Sequence, residues 1–239
     1  MNIALIGYGK MGHAIERIAL ERGHNIVCII DIDNAADFDS EAFRSAHVAI
    51  EFTTPDTAVA NIHRCWQHGI PVVCGTTGWN ELLPQLRSEA DTKGCGLLWT
   101  SNFSVGVNAV MDINRRLADI LHSNDEYRIT ITEIHHIHKK DKPSGTAITL
   151  AQDIVERVNQ INSWKLNDGN ECANHQLPIT SIRQGEEPGT HTITYDGPYD
   201  TISITHSAKS RDGFALGAVI AAEFMQGKKG FHDFREILK

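Results

Sequence analysis

The stretch "NIALIGYGKMG" (Asn2–Gly12) decides the fold. Its first half is a nearly continuous apolar run, the mark of a strand buried on both faces. Glycines come at once after it, and Met11, Ile15, Ile18 and Ala19 then recur at helical spacing until Gly23 ends the helix. A strand that turns into a helix through G-x-G-x-x-G has the context of a phosphate-cradling loop. Gly7 permits the tight turn, Gly9 lets backbone approach a pyrophosphate, and Gly12 allows close helix–strand packing. Tyr8, Lys10 and Met11 share the loop, and the helix N-terminus favours an anion. The next strand, "NIVCII" (Asn25–Ile30), is closed by Asp31, 19 residues after Gly12. A carboxylate there accepts ribose hydroxyls; Asp33 takes that part if the strand runs longer. Asp31 repels a 2′-phosphate and Lys10 offsets that repulsion, so the expected cofactor is NADH or NADPH.

Outward from this motif the same rhythm continues. "AHVAIEF" (Ala46–Phe52), "IPVVC" (Ile70–Cys74) and "GLLWT" (Gly96–Thr100) read as buried strands, with helices over about 56–67 and 81–91 between them. Strands alternating with helices predict a parallel sheet with crossover helices, of the Rossmann type. Ligands of such sheets sit beyond the carboxyl ends of the strands. This makes two loops further candidates for the cofactor: Gly75, Thr76 and Thr77 after the fourth strand, and Thr100, Ser101, Asn102 and Phe103 after the fifth. Ordinary turn chemistry is the plainer explanation of the same residues.

After Asn102 the pattern changes. Val110, Ile113, Leu117 and Leu121 mark an amphipathic helix, and "YRITITEI" (Tyr127–Ile134) alternates like a strand with one wet face. A helix is expected over about 146–158, a polar loop over 159–174, and strands over 179–184, 190–196 and 201–207. A last helix, from about Phe214, is apolar on most sides and is expected to pack back on the first half. The domains read as 1–102, joined by the C-terminal segment at about 214–239, and an α+β domain with a mixed sheet at 103–213.

The chain has 239 residues and a net charge of −8, which argues against broad binding to nucleic acid or to anionic membranes. Its five cysteines are odd in number and form no C-x-x-C. No leader is visible and no apolar run approaches the roughly 20 residues of a membrane helix. A cytoplasmic location is expected.

Against this acidic background, "EIHHIHKKDKPSGTA" (Glu133–Ala147) concentrates three histidines and three lysines. A metal is disfavoured: zinc needs three or four ligands, and the lysines oppose a dication. A solvated basic turn is the plain alternative. The residues after the run speak against it, because Ser144, Gly145 and Thr146 open a helix after Pro143. Ser144 or Thr146 can cap that helix, and Gly145 exposes backbone N–H groups. Imidazoles, ammonium groups and a helix N-terminus suit a small di-anion that must be held and protonated.

The run also resembles the signature of the 4-hydroxy-tetrahydrodipicolinate reductases (dihydrodipicolinate reductases), roughly E-x-H-H-x-x-K-x-D-x-P-S-G-T. It is met by Glu133, His135, His136, Lys139, Asp141, Pro143, Ser144, Gly145 and Thr146. "IEFTTP", "GTTG", "NFSVGVN" and "ITHSAKSRDGFALGA" are similar to family segments in family order. Lys10 stands where arginine is common, and Gln184 where glycine is usual. The resemblance implies a homotetramer built on the second sheet, and reduction of a dehydrated dicarboxylate ring by NAD(P)H. It implies His135 as general acid, assisted by Lys139. His136, Lys139, Ser144, Gly145 and Thr146 would bind the substrate carboxylates. Rival readings are an aspartate- or homoserine-type dehydrogenase, which lacks the histidine–lysine run, and a dinucleotide-sensing regulator, which needs no acid–base cluster.

Overall fold

The computed structural model describes residues 1–169, 172–210 and 212–238. Asn170 and Glu171 of the expected polar loop, Arg211 and Lys239 lie outside the described residues. The chain forms two compact units, Met1–Val105 with Asp212–Lys239, and Gly106–Arg211.

In the first unit, β1 (Asn2–Ile6), β2 (Asn25–Ile30), β3 (Val48–Glu51), β4 (Val72–Cys74) and β5 (Gly96–Trp99) are joined by a short strand near the C-terminus. The sheet runs C-terminal strand–β5–β4–β3–β1–β2, and every pairing is parallel. The connecting helices are α1 (Lys10–Glu21), α2 (Glu41–Arg44), α3 (Pro55–Gln67) and α4 (Leu83–Lys93). Alternate residues of β1 face opposite layers, which explains its unbroken apolar run. Ile3 and Leu5 meet Ile15, Ile18 and Ala19 of α1, whereas Ala4 and Ile6 join the layer of Ile62, Cys65, Leu86 and Ala90. The order of connection reverses between β1 and β3, the switch point at which such sheets hold ligands.

The second unit begins within α5 (Val105–Ile120) and contains β6 (Arg128–His135), α6 (Gly145–Val155), β7 (Ser163–Leu166), β8 (Gln176–Arg183), β9 (Thr190–Asp196) and β10 (Thr201–Ser207). Its sheet, β10–β9–β6–β8–β7, is mixed: β6, β7 and β8 are parallel, and β9 is antiparallel to β6 and β10. Residues at period two, Ile129 and Ile131, Leu177 and Ile179, Ile193 and Tyr195, pack against Leu150, Ala151 and Ile154 of α6.

Two segments differ from the sequence expectation. The polar stretch expected as a loop contains β7, "SWKL", paired in parallel with β8. Four residues on a sheet edge carry too little apolar period to announce a strand, and the ladder to β8 holds them. The strand expected at Ile179 starts at Gln176, because Pro178, which disguises it, sits within the pairing.

The last helix, α7 (Asp212–Met225), belongs to the first unit with α1, and Ala215, Ala218, Val219, Ala222 and Met225 are all buried in the sheet's layer. The strand β11 (Gly230–His232) comes after it and extends the sheet beside β5; three residues were too few to be read. Gly217 lets α7 approach the chain after β5, since a Cβ there would stand 1.7 Å from the carbonyl oxygen of Phe103. Gly217→Ala is expected to cost about 1–3 kcal/mol through overpacking, read as a lower Tm in thermal denaturation.

Candidate active site

The turn after β1 shows why glycine stands where it does. Gly7 has φ +89°, and a Cβ on it would lie 2.0 Å from the carbonyl oxygen of Phe52. A Cβ on Gly12 would meet the carbonyl of Gly7 at 2.5 Å, so α1 lies tight on the turn. Gly9 differs: nothing lies within 4 Å of its Cβ position. It begins α1 without a side-chain cap and no acidic residue occupies the first turn, so the first N–H groups of the helix face open space. Gly9, Lys10, Met11 and Gly12 line a cleft of about 440 Å³, closed by Phe52, Thr53 and Pro55 after β3 and by Gly75, Thr76 and Thr77 after β4. Open backbone beside an uncapped helix N-terminus fits a pyrophosphate.

The remaining residues expected around a cofactor are disposed unevenly. Tyr8 donates a hydrogen bond to Glu16, and its ring meets that of His13 in a tilted contact at a centroid distance of 3.9 Å. Asp31 is exposed at the end of β2, and its carboxylate accepts the N–H of Ile32 at 3.0 Å. Asp33 is exposed in the same turn. Thr100 closes its loop through Asn102, accepting the Asn102 N–H at 3.2 Å, and Ser101 is exposed. These residues after β5 do not line the cleft. The ring of Phe103 is buried between Phe52 and Phe234, at centroid distances of 5.5 and 5.7 Å, and its side chain belongs to the core.

In the second unit the histidine–lysine run begins on β6. Glu133 and His135 lie two residues apart on the buried face, and Nδ1 of His135 is hydrogen-bonded to the Glu133 carboxylate. The other carboxylate oxygen accepts Nη1 of Arg183, from β8, at 2.9 Å. Burial alone would raise the pKa of Glu133; the hydrogen bonds from His135 and Arg183 outweigh it and hold the carboxyl at about 2. Arg183 also donates to the carbonyls of Asp141 at 2.6 Å and Lys139 at 3.4 Å, which ties the loop after β6 to the sheet. Nζ of Lys139 lies 2.9 Å from Asp141. Burial opposes ionisation of Asp141, but the hydrogen bond from Lys139 prevails and lowers its pKa.

His191, on β9 directly opposite Glu133, completes the cluster. Its ring meets that of His135 edge to face at 5.1 Å, and its Nε2 lies 3.1 Å from Oγ of Ser144. Burial first, then the neighbouring His135, pushes the pKa of His191 down to about 4, so it is neutral near pH 7. Ser144 caps α6 by accepting the N–H of Ala147 at 3.2 Å. Gly145 is exposed at the first helical position, Thr146 is next, and no acidic residue lies in this first turn. His136 is half-buried, and its Nδ1 has no protein partner among the described residues. His138 points instead to exposed Glu186 at 3.5 Å. Lys140 and Lys142 are exposed.

Glu133, His135 and His191 offer potential metal-ligand atoms within 4.8 Å of one another. The guanidinium on Glu133 opposes a cation at that point. Arg183 and His191 were missed as site residues. Their signal was present: each falls on the buried phase of its strand, with Ile179 and Ser181 or with Ile193 and Tyr195, where a titratable side chain requires a reason.

A doubly wound sheet with a phosphate-ready helix N-terminus, and a second unit carrying an acid–base cluster, define a two-domain dinucleotide-dependent oxidoreductase. Comparison with known proteins narrows the class. Residues 1–103 match the family model for the N-terminus of dihydrodipicolinate reductase, and residues 106–238 match that for its C-terminus. A 4-hydroxy-tetrahydrodipicolinate reductase of Christiangramia forsetii is 44% identical, over 100% of this chain and 98% of the relative. One from Lawsonia intracellularis is 35% identical, over 96% of this chain and 95% of the relative. Among solved structures, a dipicolinate-bound dihydrodipicolinate reductase from Paenisporosarcina sp. TG-14 shares the fold, with a TM-score of 0.78 at 23% identity, over 98% of this chain and 97% of that one. The chain belongs to the dihydrodipicolinate reductase family, and the rival dehydrogenase and regulator readings fall away.

The cluster makes the fold acid-sensitive. The unfolded chain protonates His191 near 6.5 and the folded one near 4, so stability falls as pH drops through that window, by up to about 3 kcal/mol. Glu133, 4.5 unfolded and about 2 folded, extends the loss below pH 4.5. The expected outcome is a Tm that declines from pH 7 to pH 4, and a shallower decline between 6.5 and 4 in His191→Gln.

Proposed function

We propose that the chain reduces the dehydrated ring of (2S,4S)-4-hydroxy-2,3,4,5-tetrahydrodipicolinate to tetrahydrodipicolinate with NAD(P)H, in lysine and diaminopimelate biosynthesis. The observation that carries the proposal is the buried Glu133–His135 pair on a unit whose α6 begins at a Ser144-capped N-terminus. Family membership supplies the substrate class.

When bound in the cleft of the first unit, the dinucleotide supplies a hydride. Gly7, Gly9 and Gly12 would cradle its pyrophosphate, with Tyr8, Lys10 and Met11 around them and Thr76 and Thr77 opposite. Gly75 would lie beneath, and the Thr100–Phe103 loop would face the nicotinamide end. Asp31 would take the adenosine ribose; it repels a 2′-phosphate that Lys10 attracts, and both NADH and NADPH are therefore substrates in this proposal.

The second unit holds the ring and manages the proton. Reduction of a conjugated cyclic imine leaves an electron-rich enamine, which must take up a proton. With Glu133 ionised, Nδ1 of His135 carries a hydrogen toward it, and Nε2 is the nitrogen that delivers the proton. His191 beside it stays neutral, so no second imidazolium competes for the same carboxylate. Lys139 assists the protonation. His136, Lys139, Ser144 and the first N–H groups of α6 at Gly145 and Thr146 grip the two carboxylates and stabilise charge as it shifts.

A homotetramer belongs to the same proposal. It is supported by the face of the second sheet opposite α6, where Thr132, Thr192, Thr194, Thr205 and Ile182 are left partly or fully exposed. A cytoplasmic location is supported by five free cysteines, and no helix among the described residues is long and apolar enough to cross a membrane.

Purified protein is expected to oxidise NADH and NADPH only with the freshly made condensation product of pyruvate and aspartate semialdehyde, monitored by absorbance at the nicotinamide band. No turnover with either cofactor would refute the function. His135→Gln is expected to lower kcat about 100-fold, the usual scale for losing a general acid. Lys139→Ala should lower kcat and also raise KM for the dicarboxylate; an effect on kcat alone would take Lys139 out of binding.

A further inference from the structure

Glu51 is a buried carboxylate that the reaction does not use. It ends β3 at the switch point, its relative exposure is 0%, and among the described residues it has no ion-pair partner. An unpaired charge taken out of water is costly unless hydrogen bonds compensate it. Glu51 is surrounded by donors. Thr53 donates its hydroxyl to one carboxylate oxygen, Cys74 donates its thiol to the other at 3.0 Å, and Nδ2 of Asn61 approaches at 3.5 Å. Burial, and then Glu51 itself, keeps the Cys74 thiol protonated and therefore a donor.

Thr53 is the point at which three loops meet. Its backbone N–H donates to Oγ1 of Thr76 at 2.8 Å, joining the loop after β3 to the loop after β4. Its methyl would stand 2.9 Å from a Cβ on Gly7, so the glycine turn after β1 rests on it. The Thr76 carbonyl is in turn held by the indole N–H groups of Trp79 at 2.8 Å and Trp99 at 2.9 Å. Thr53 and Thr76 both line the cleft that begins at Gly9.

We propose that Glu51 is a positioning residue for the dinucleotide: by orienting Thr53 it holds the loops after β1, β3 and β4 in the arrangement that forms the cleft. The proposal rests on reading that cleft as the dinucleotide site. Glu51 touches no ligand. It acts through the Thr53 hydroxyl, and its carboxylate suits this task because it accepts from two sides at once. A glutamine offers one acceptor oxygen and must release either Thr53 or Cys74.

The test compares full-length Glu51→Gln, Thr53→Val, Thr53→Ser and the Glu51→Gln/Thr53→Val double variant with wild type. NADH binding is titrated by tryptophan fluorescence, and KM is measured for each substrate. Glu51→Gln and Thr53→Val are each expected to weaken NADH binding about tenfold, the scale of one lost charge-assisted hydrogen bond. KM for the dicarboxylate should stay within about twofold in both. Thr53→Ser keeps the hydroxyl but loses the methyl that meets the Gly7 turn and should bind NADH between wild type and Thr53→Val, and the double variant should be no worse than either single one, because both remove one contact. Unchanged NADH binding in both single variants, equal losses for both substrates, or additive losses in the double variant would overturn the proposal. Gly9→Val separates this failure from failure of the cleft reading. Its side chain enters open space in the cleft, so unaltered NADH binding in that variant removes the cleft and the proposal together, whereas lost binding there with a normal Glu51→Gln removes the proposal alone.

Discussion

The carbonyl oxygen of Phe52 occupies the place where a Cβ of Gly7 would stand. This contact between the turn after β1 and the end of β3 lies at the point where the order of the parallel sheet reverses. It requires glycine at position 7 both for space and for the positive φ. It brings the N-terminus of α1 over the sheet, and Gly12 continues the approach by admitting the Gly7 carbonyl. Gly9 then begins α1 with no side-chain cap. The cleft beside this helix N-terminus is thus a consequence of close packing one turn earlier.

Each unit also buries one glutamate near the carboxyl end of a strand, and the two are compensated differently. Glu133 is paired with Arg183 and His135, and these contacts keep it ionised far into acid. Glu51 has hydroxyl, thiol and amide donors and no cation. The first arrangement orients the imidazole of His135. The second orders loops that line a cleft. Neither carboxylate is placed to meet solvent, and each acts through a neighbour.

Much of this was legible from the residues. The unbroken apolar run of β1 reflects burial on both faces, whereas β2, expected as a buried strand, is a half-buried edge strand, and the alternation of β6 and β9 reflects burial on one face. The apolar girth of α7 foretold that it would be enclosed, and it lies against the first sheet with α1. The edge strands β7 and β11 were not legible, because an edge strand is held by its ladder more than by its side chains.

By itself the sequence determined the glycine turn, the parallel half, and a run of histidines and lysines just ahead of a helix N-terminus, since these are local patterns of spacing and type. Tertiary structure alone decided which distant groups join them. His191 and Arg183 lie 56 and 48 residues from His135 and reach it only because β9 and β8 flank β6. Whether a buried histidine is neutral and a buried glutamate ionised depends on partners brought by strand pairing. Periodicity along one strand carries no record of those partners.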